Sequence, residues 1–123
     1  MKYLLIGIGG AIGAIGRYTL QGIVYQFTGT GFPYGTWVVN MIGCFLIGLF
    51  VELTDNRYYV DPQIRIFITV GILGGFTTFS TFGYETFSLL RDGEFMRASY
   101  NIVSSVLIGL AAVWLGFITA RIL

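Results

Sequence analysis

The chain has 123 residues and a formal net charge of +1; 55% of its residues are hydrophobic, 17% aromatic and 11% charged. Soluble domains carry about 25% charged residues, so too few remain here to cover a water-facing surface, and a mean hydropathy of +0.79 agrees. Near-neutral charge and the absence of His argue against nucleic-acid binding, haem ligation and His-based catalysis, and the single Cys44 excludes an internal disulfide or a Cys-cluster metal site.

A helix needs about 20 mostly apolar residues to cross a bilayer core of about 30 Å. Four runs qualify, at about 3–27, 36–53, 66–90 and 100–120. They make one transmembrane domain over 1–123, with no room for a separate soluble domain. The first run follows Lys2 and contains Ala11 and Ala14, as a signal peptide would. It continues past Arg17, however, and nothing downstream reads as a secreted domain. Gly7, Gly10, Gly13 and Gly16 recur every three residues, and Gly9 and Gly13 form a GxxxG. Small residues let membrane helices approach closely. Arg17 lies about 21 Å along the span, where a charge faces protein or water or snorkels to an interface.

Residues 28–35 form a glycine-rich turn with Pro33 as a breaker. The second run carries Asn40, with Thr36 one turn away. The Asn40 amide supplies two donors and an acceptor, for an interhelical bond or for an anion. A charged loop holds Glu52, Asp55, Arg57 and Asp61, and Asp61-Pro62 reads as an N-cap followed by N1 proline.

The third run is unusual at its centre: Gly74-Gly75-Phe76-Thr77-Thr78-Phe79-Ser80-Thr81-Phe82. Two adjacent glycines cost about 1 kcal/mol each in a helix interior, and β-branched threonines follow. The pattern predicts a helix break, whose freed carbonyls and N–H groups are tolerated at that depth only in protein, a cavity or an ion site. A kinked continuous helix with hydroxyls bonded back to the backbone is the alternative. Phe79 and Phe82 flank the following hydroxyls, and an aromatic ring edge carries partial positive charge. Glu85 is the one acid well inside a span. Arg91, Asp92, Glu94 and Arg97 make the next loop; in the last run Tyr100 and Ser104 share a face, and Gly109, Ala112 and Gly116 form a small-residue stripe.

Four spans place Lys2, Arg57, Arg65 and Arg121 on one side and Arg91 and Arg97 on the other. So weak a bias allows insertion in either orientation. Four helices are also few to enclose a polar path, which points to a homo-oligomer with its site near the subunit interface.

These motifs together resemble the Fluc (CrcB) family of bacterial fluoride channels. Gly9 through Tyr18 looks like its first-helix signature, Gly35-Thr36 through Asn40 with Gly43 and Phe45 like its second, and Gly74 through Phe82 like its third. Tyr100, Ser104, Gly109-Leu110 and Gly116 fit the fourth, while Trp37 stands where the family pattern has Leu. The resemblance implies an all-α membrane protein with four transmembrane helices per subunit, the third broken, in an antiparallel dual-topology homodimer. It implies a passive fluoride-selective channel with two pores per dimer, exporting fluoride from the cytoplasm of bacteria across the plasma (inner) membrane to relieve fluoride toxicity. A structural Na⁺ at the dimer interface would be held by main-chain carbonyls of Gly74 and Thr77. Phe79, Phe82, Asn40, Thr36, Glu85, Tyr100 and Ser104 would line the pore, with Arg17 at a vestibule. A small dual-topology proton-coupled drug or cation exporter is the alternative of similar size, though that class uses an acid in its first helix and this first span has none. A non-transporting assembly subunit is a third reading. An enzyme is disfavoured, because no nucleophile–base or metal constellation is present.

Overall fold

The computed structural model describes all residues 1–123. Its structure is all-helical. Helix α1 covers Lys2–Thr28 and α2 covers Tyr34–Glu52, running on through a π-helical turn, Leu53–Arg57. The third span is composite: α3 (Pro62–Ile66), a π-helical segment (Phe67–Leu73), α4 (Gly74–Phe76) and α5 (Phe79–Arg91). Helix α6 covers Phe95–Ile122. Four stretches are long and apolar enough to cross a membrane: Lys2–Thr28, Tyr34–Arg57, Pro62–Arg91 and Phe95–Ile122.

The helix ends follow local chemistry. Asp61 accepts from the Gln63 N–H at 2.9 Å, with Pro62 at the first helical position, as its sequence predicts. Gly29 and Gly93, at φ 71° and 79°, take the left-handed conformation that closes α1 and the α5–α6 turn. Helix α6 begins at Phe95, five residues before the expected span, so Arg97 is helical rather than part of a loop, and Arg91 is the last residue of α5. The apolar count marks where lipid begins. The helix extends further, because Ala98 can donate to the Glu94 carbonyl at 3.0 Å in the polar layer outside. Arg97 there donates to the Gly31 carbonyl at 3.1 Å, tying the first loop to α6.

Packing joins the helices in two pairs, α1 with the third span and α2 with α6. Glycines set both contacts. A methyl group at Gly9 would sit 2.7 Å from the Phe67 carbonyl oxygen and 2.9 Å from Gly71 Cα, and one at Gly75 would sit 2.6 Å from the Gly10 carbonyl oxygen. Gly13 lies against the Ile72 carbonyl, Gly48 against Val113, and Gly116 against the Phe45 carbonyl. The pair Gly9 and Gly13 makes the contact, not the whole three-residue series, and Gly7 faces open space. Residues three apart drift by about 60° around a helix at each step, so a series of four cannot stay on one face.

Only 19 of 123 residues are buried. The large apolar side chains that a soluble domain would enclose point outward instead, among them Ile15, Leu107, Leu110 and Leu115. Lipid or protein must cover them. At the end of the bundle that holds both termini, Arg65 pairs with Asp55 at 2.5 Å and Arg57 donates to the Arg121 carbonyl. Both contacts are exposed and worth little individually.

The glycine contacts generate a test. Gly48→Leu or Gly116→Leu forces a side chain into facing backbone, an overpacking cost of about 1–3 kcal/mol or more. Each lowers the thermal unfolding temperature in detergent, whereas Gly7→Ala leaves it unchanged or slightly raised.

Candidate functional site

The chemistry concentrates where the third span changes conformation. Helix α4 gives way to Thr77 at φ −90°, ψ 158° and Thr78 at φ −149°, ψ 122°, both extended, before α5 begins at Phe79. Extended backbone at this depth has no water to bond to. Asn40 on α2 takes that role. Its Nδ2 donates to the Thr78 carbonyl at 3.0 Å, and its Oδ1 accepts from the Thr78 N–H at 2.9 Å. The side-chain amide thus pairs with the backbone as a neighbouring strand would. Thr78 also N-caps α5, its Oγ1 accepting from the Thr81 N–H at 3.3 Å.

This pairing has a second consequence. The Thr78 N–H, which in a continuous helix would donate to the Gly74 carbonyl four residues back, is turned to Asn40 instead. Thr77 keeps its helical bonds, with both its N–H and its hydroxyl donating to the Leu73 carbonyl at 3.1 Å. Arg17 reaches across from α1, and its Nε donates to the Gly75 carbonyl at 3.2 Å. The deep charge therefore faces protein.

A cavity of about 460 Å³ opens beside these residues, lined by Asn40, Gly74, Thr77, Thr78, Phe79 and Phe82 together with Cys44, Leu73 and Ser105. The Phe79 and Phe82 rings lie 5.7 Å apart and tilted at 46°, and Phe79 is 82% exposed. One of the two Asn40 amide hydrogens is committed to Thr78. The other has no acceptor in the protomer, and Asn40 lines the cavity.

The remaining expected residues lie elsewhere in the protomer. Thr36 is buried and accepts from Gln21 Nε2 at 3.1 Å. Glu85 stands beside Thr36, and the Tyr25 hydroxyl approaches its Oε2 at 3.5 Å, while its Oε1 is buried with no partner. Ser104 is buried and accepts from Trp37 Nε1 at 3.0 Å. Tyr100, one turn away, packs edge-on against Phe32 and lines a second cavity of about 470 Å³ with Tyr34, Met96 and Arg97. A single protomer therefore holds Asn40, Phe79 and Phe82 around one cavity and Tyr100 at another, with Thr36 and Ser104 buried beyond both linings.

Three polar residues, Gln21, Tyr25 and Asn101, were not singled out from the sequence, and Trp37 stood out only as a departure from the family pattern. Gln21, Tyr25 and Trp37 hold the hydroxyls and the carboxylate just described. Asn101, buried on α6, donates to Thr86 Oγ1 on α5 at 2.9 Å. Gln21 and Asn101 carry a readable signal, since an amide inside an apolar run needs a partner. Tyr25 and Trp37 carry none, because aromatic side chains serve equally well against lipid.

Residues 4–117 match the family model described as "CrcB-like protein, Camphor Resistance (CrcB)". A protein of Geobacter metallireducens named fluoride-specific ion channel FluC is 54% identical over 121 residues, 98% of each chain. One of the same name from Geotalea daltonii is 54% identical over 118 residues, covering 96% of this chain and 95% of its own. A third, from Geobacter sulfurreducens, is 50% identical over 118 residues with the same coverage. These relatives are named as channels, not as enzymes.

The Asn40 pairing generates a test. Asn40→Ala leaves the Thr78 N–H and carbonyl unpaired, at about 1–3 kcal/mol for each. Amide exchange across 74–86 accelerates and the protein melts earlier. Asn40→Asp sets a carboxylate against the Thr78 carbonyl, so it destabilises at least as much as Asn40→Ala.

Proposed function

Because this chain belongs to the CrcB-like family of multi-pass membrane proteins, we propose that it is a passive, fluoride-selective ion channel. The observation that carries this reading is the likeness, over nearly the whole chain, to proteins named fluoride-specific ion channels. The geometry adds physical support. Fluoride is small and strongly hydrated, so a pore must replace its water with closely placed donors. The groups proposed for the path are mainly neutral: an Asn40 amide hydrogen, the Tyr100 hydroxyl, the edges of Phe79 and Phe82, and the hydroxyls of Thr36 and Ser104, which the protomer keeps buried. Weak binding at several such places lets an ion leave, whereas a fixed cation facing the path would hold it. The Arg17 guanidinium is already bonded to the Gly75 carbonyl, in keeping with a place at a vestibule rather than in the bore. Glu85 is the exception among neutral groups, and Tyr25 approaches one of its oxygens.

The working unit on this reading is an antiparallel dual-topology homodimer with two pores. The nearly even Lys/Arg distribution and the outward apolar faces support it. A structural Na⁺ between the subunits fits the donor chemistry at the helix change. Gly74 and Thr77 line the cavity, and the Gly74 carbonyl has lost its usual helical donor to Asn40. Neutral oxygens suit a hard cation, and two carbonyls from each subunit would complete the set. Such an ion would supply fixed positive charge that draws the two broken segments together.

In the bacterial inner membrane such a channel serves export. Neutral HF enters from acidic surroundings and dissociates inside, and the inside-negative potential drives fluoride back out. The proton-coupled exporter is not favoured, since the first span has no acid and the relatives are named channels.

Liposomes holding purified protein provide the test, with efflux followed by ion-selective electrodes. Fluoride efflux requires a permeant counter-ion and chloride is retained. Electroneutral efflux, or chloride passing as fast as fluoride, would refute the reading. Phe79→Ile keeps the fold and lowers fluoride efflux at least about tenfold, equivalent to about 1.4 kcal/mol on the barrier.

A further inference from the structure

The second cavity, of about 470 Å³, lies where α6 begins, against the turn between α1 and α2. Small-molecule sites span about 300–1,000 Å³. The lining holds one cation, Arg97, and no acid, with Thr28, Phe32, Tyr34, Met96 and Tyr100 around it. A guanidinium has five N–H donors in a rigid fork. Nη1 of Arg97 donates to the Gly31 carbonyl at 3.1 Å, which fixes the fork against the loop. Its Nε stands 3.6 Å from Glu94 Oε2, too far for a hydrogen bond, and Nη2 has no acceptor in the protomer. The Tyr34 and Tyr100 rings pack on Phe32 with centroids 4.7 and 5.5 Å away, so both walls are braced. The Tyr34 hydroxyl adds a neutral donor.

The depth of this cavity matters as much as its donors. The apolar run of α6 starts near residue 100, so Glu94 and Arg97 lie in the polar layer just outside it. Lipid headgroups lie at that level, where tyrosines also gather. The rim is apolar: Met96 lines the cavity yet is 84% exposed, and Phe27 and Phe95 are exposed at the ends of their helices. We propose that this cavity binds the phosphodiester of a membrane phospholipid, with the Arg97 guanidinium as its cationic ligand and the Tyr34 hydroxyl as a second donor. Tyr100 closes the wall with its ring, and its hydroxyl is not required. The guanidinium fork matches phosphate oxygens in pairs, which a Lys ammonium does not. A free phosphate would meet the same donors and leave Met96 uncovered, whereas a lipid covers it with its glycerol and first acyl carbons. Charge favours a headgroup with no cation of its own, as in phosphatidylglycerol, because a headgroup ammonium competes with Arg97 for the phosphate. The proposal requires a membrane protein and does not rest on the channel reading.

Native mass spectrometry of the detergent-solubilised protein counts the lipids retained per chain. Wild type retains phosphatidylglycerol in preference to phosphatidylcholine, and equal retention of both overturns the assignment. Arg97→Gln weakens phosphatidylglycerol retention about 3- to 10-fold, the worth of one hydrogen bond. Tyr34→Phe weakens it about 2- to 3-fold with the Arg97–Gly31 bond intact, and Arg97→Lys recovers part of the loss, since it keeps the charge and not the fork. Arg121→Gln, which removes a cation at the other end of the bundle, leaves retention unchanged. A loss there equal to that of Arg97→Gln means that surface charge in general holds the lipid, and it overturns the proposal. Arg97 also braces the loop, and the melting temperature separates the two roles. Phosphatidylglycerol raises it in wild type and not in Arg97→Gln; a rise of the same size in both shows that Arg97 only braces the loop. Two probes then replace the lipid. Inorganic phosphate at the same concentration gives no rise, and one equal to that from lipid makes the ligand a free anion. A galactolipid with the same acyl chains gives none, and an equal rise means that the chains and not the phosphate are recognised. Any of these three results overturns the lipid phosphate site. No arm measures fluoride, so this site and the channel reading stand or fall separately.

Discussion

Everything distinctive about this protein depends on one side chain pairing with one backbone residue. Asn40 supplies both a donor and an acceptor to Thr78. In water such a pair would be worth about 1 kcal/mol per bond. In a membrane it is the condition for extended backbone to exist at all, since lipid offers no substitute partner. From that pair follow the start of α5 at the Thr78 cap, the direction in which Phe79 and Phe82 project, and the release of the Gly74 carbonyl from its helical bond. The residue read as a pore donor is thus also the one that shapes the wall. The two roles are compatible because an amide has two hydrogens and only one is used.

The rest of the bundle holds that pair in register. Helix α1 approaches the third span through Gly9, Gly13 and Gly75 closely enough that no side chain fits between. Helix α2, which carries Asn40, is locked to α6 through Gly48 and Gly116. Where no solvent drives helices together, such close van der Waals contact supplies much of the association. Polar bonds add direction: Asn101 joins α6 to α5, and Arg17 joins α1 to the carbonyl next to the helix change.

The electrostatics follow a single rule. Apart from Glu85, which meets the Tyr25 hydroxyl, charged groups sit at the ends of the spans or against protein carbonyls, and the interior is served by amides, hydroxyls and an indole. For the proposed channel this is the chemistry required, because a strongly hydrated anion needs donors that are close and neutral.

The sequence by itself determined that this is a membrane protein of four spans. Composition and run length decide that question, because lipid admits few charges and a bilayer fixes the length. It also determined the Asp61-Pro62 helix start and the abnormal centre of the third span, since caps and paired glycines act locally. The family resemblance drawn from four ordered motifs agrees with the whole-length relatives. Helix ends escaped it where the helix runs on beyond the lipid, as at Phe95. So did the choice among the Gly7 to Gly16 series, because only a facing helix decides which face is the contact. Tertiary structure alone decided that Asn40 meets Thr78, that Gln21 meets Thr36 and that Trp37 meets Ser104. Those partners are 38, 15 and 67 residues apart, and no local rule reaches across such separations. An amide in an apolar run announces that it needs a partner, and only the packed bundle says which one.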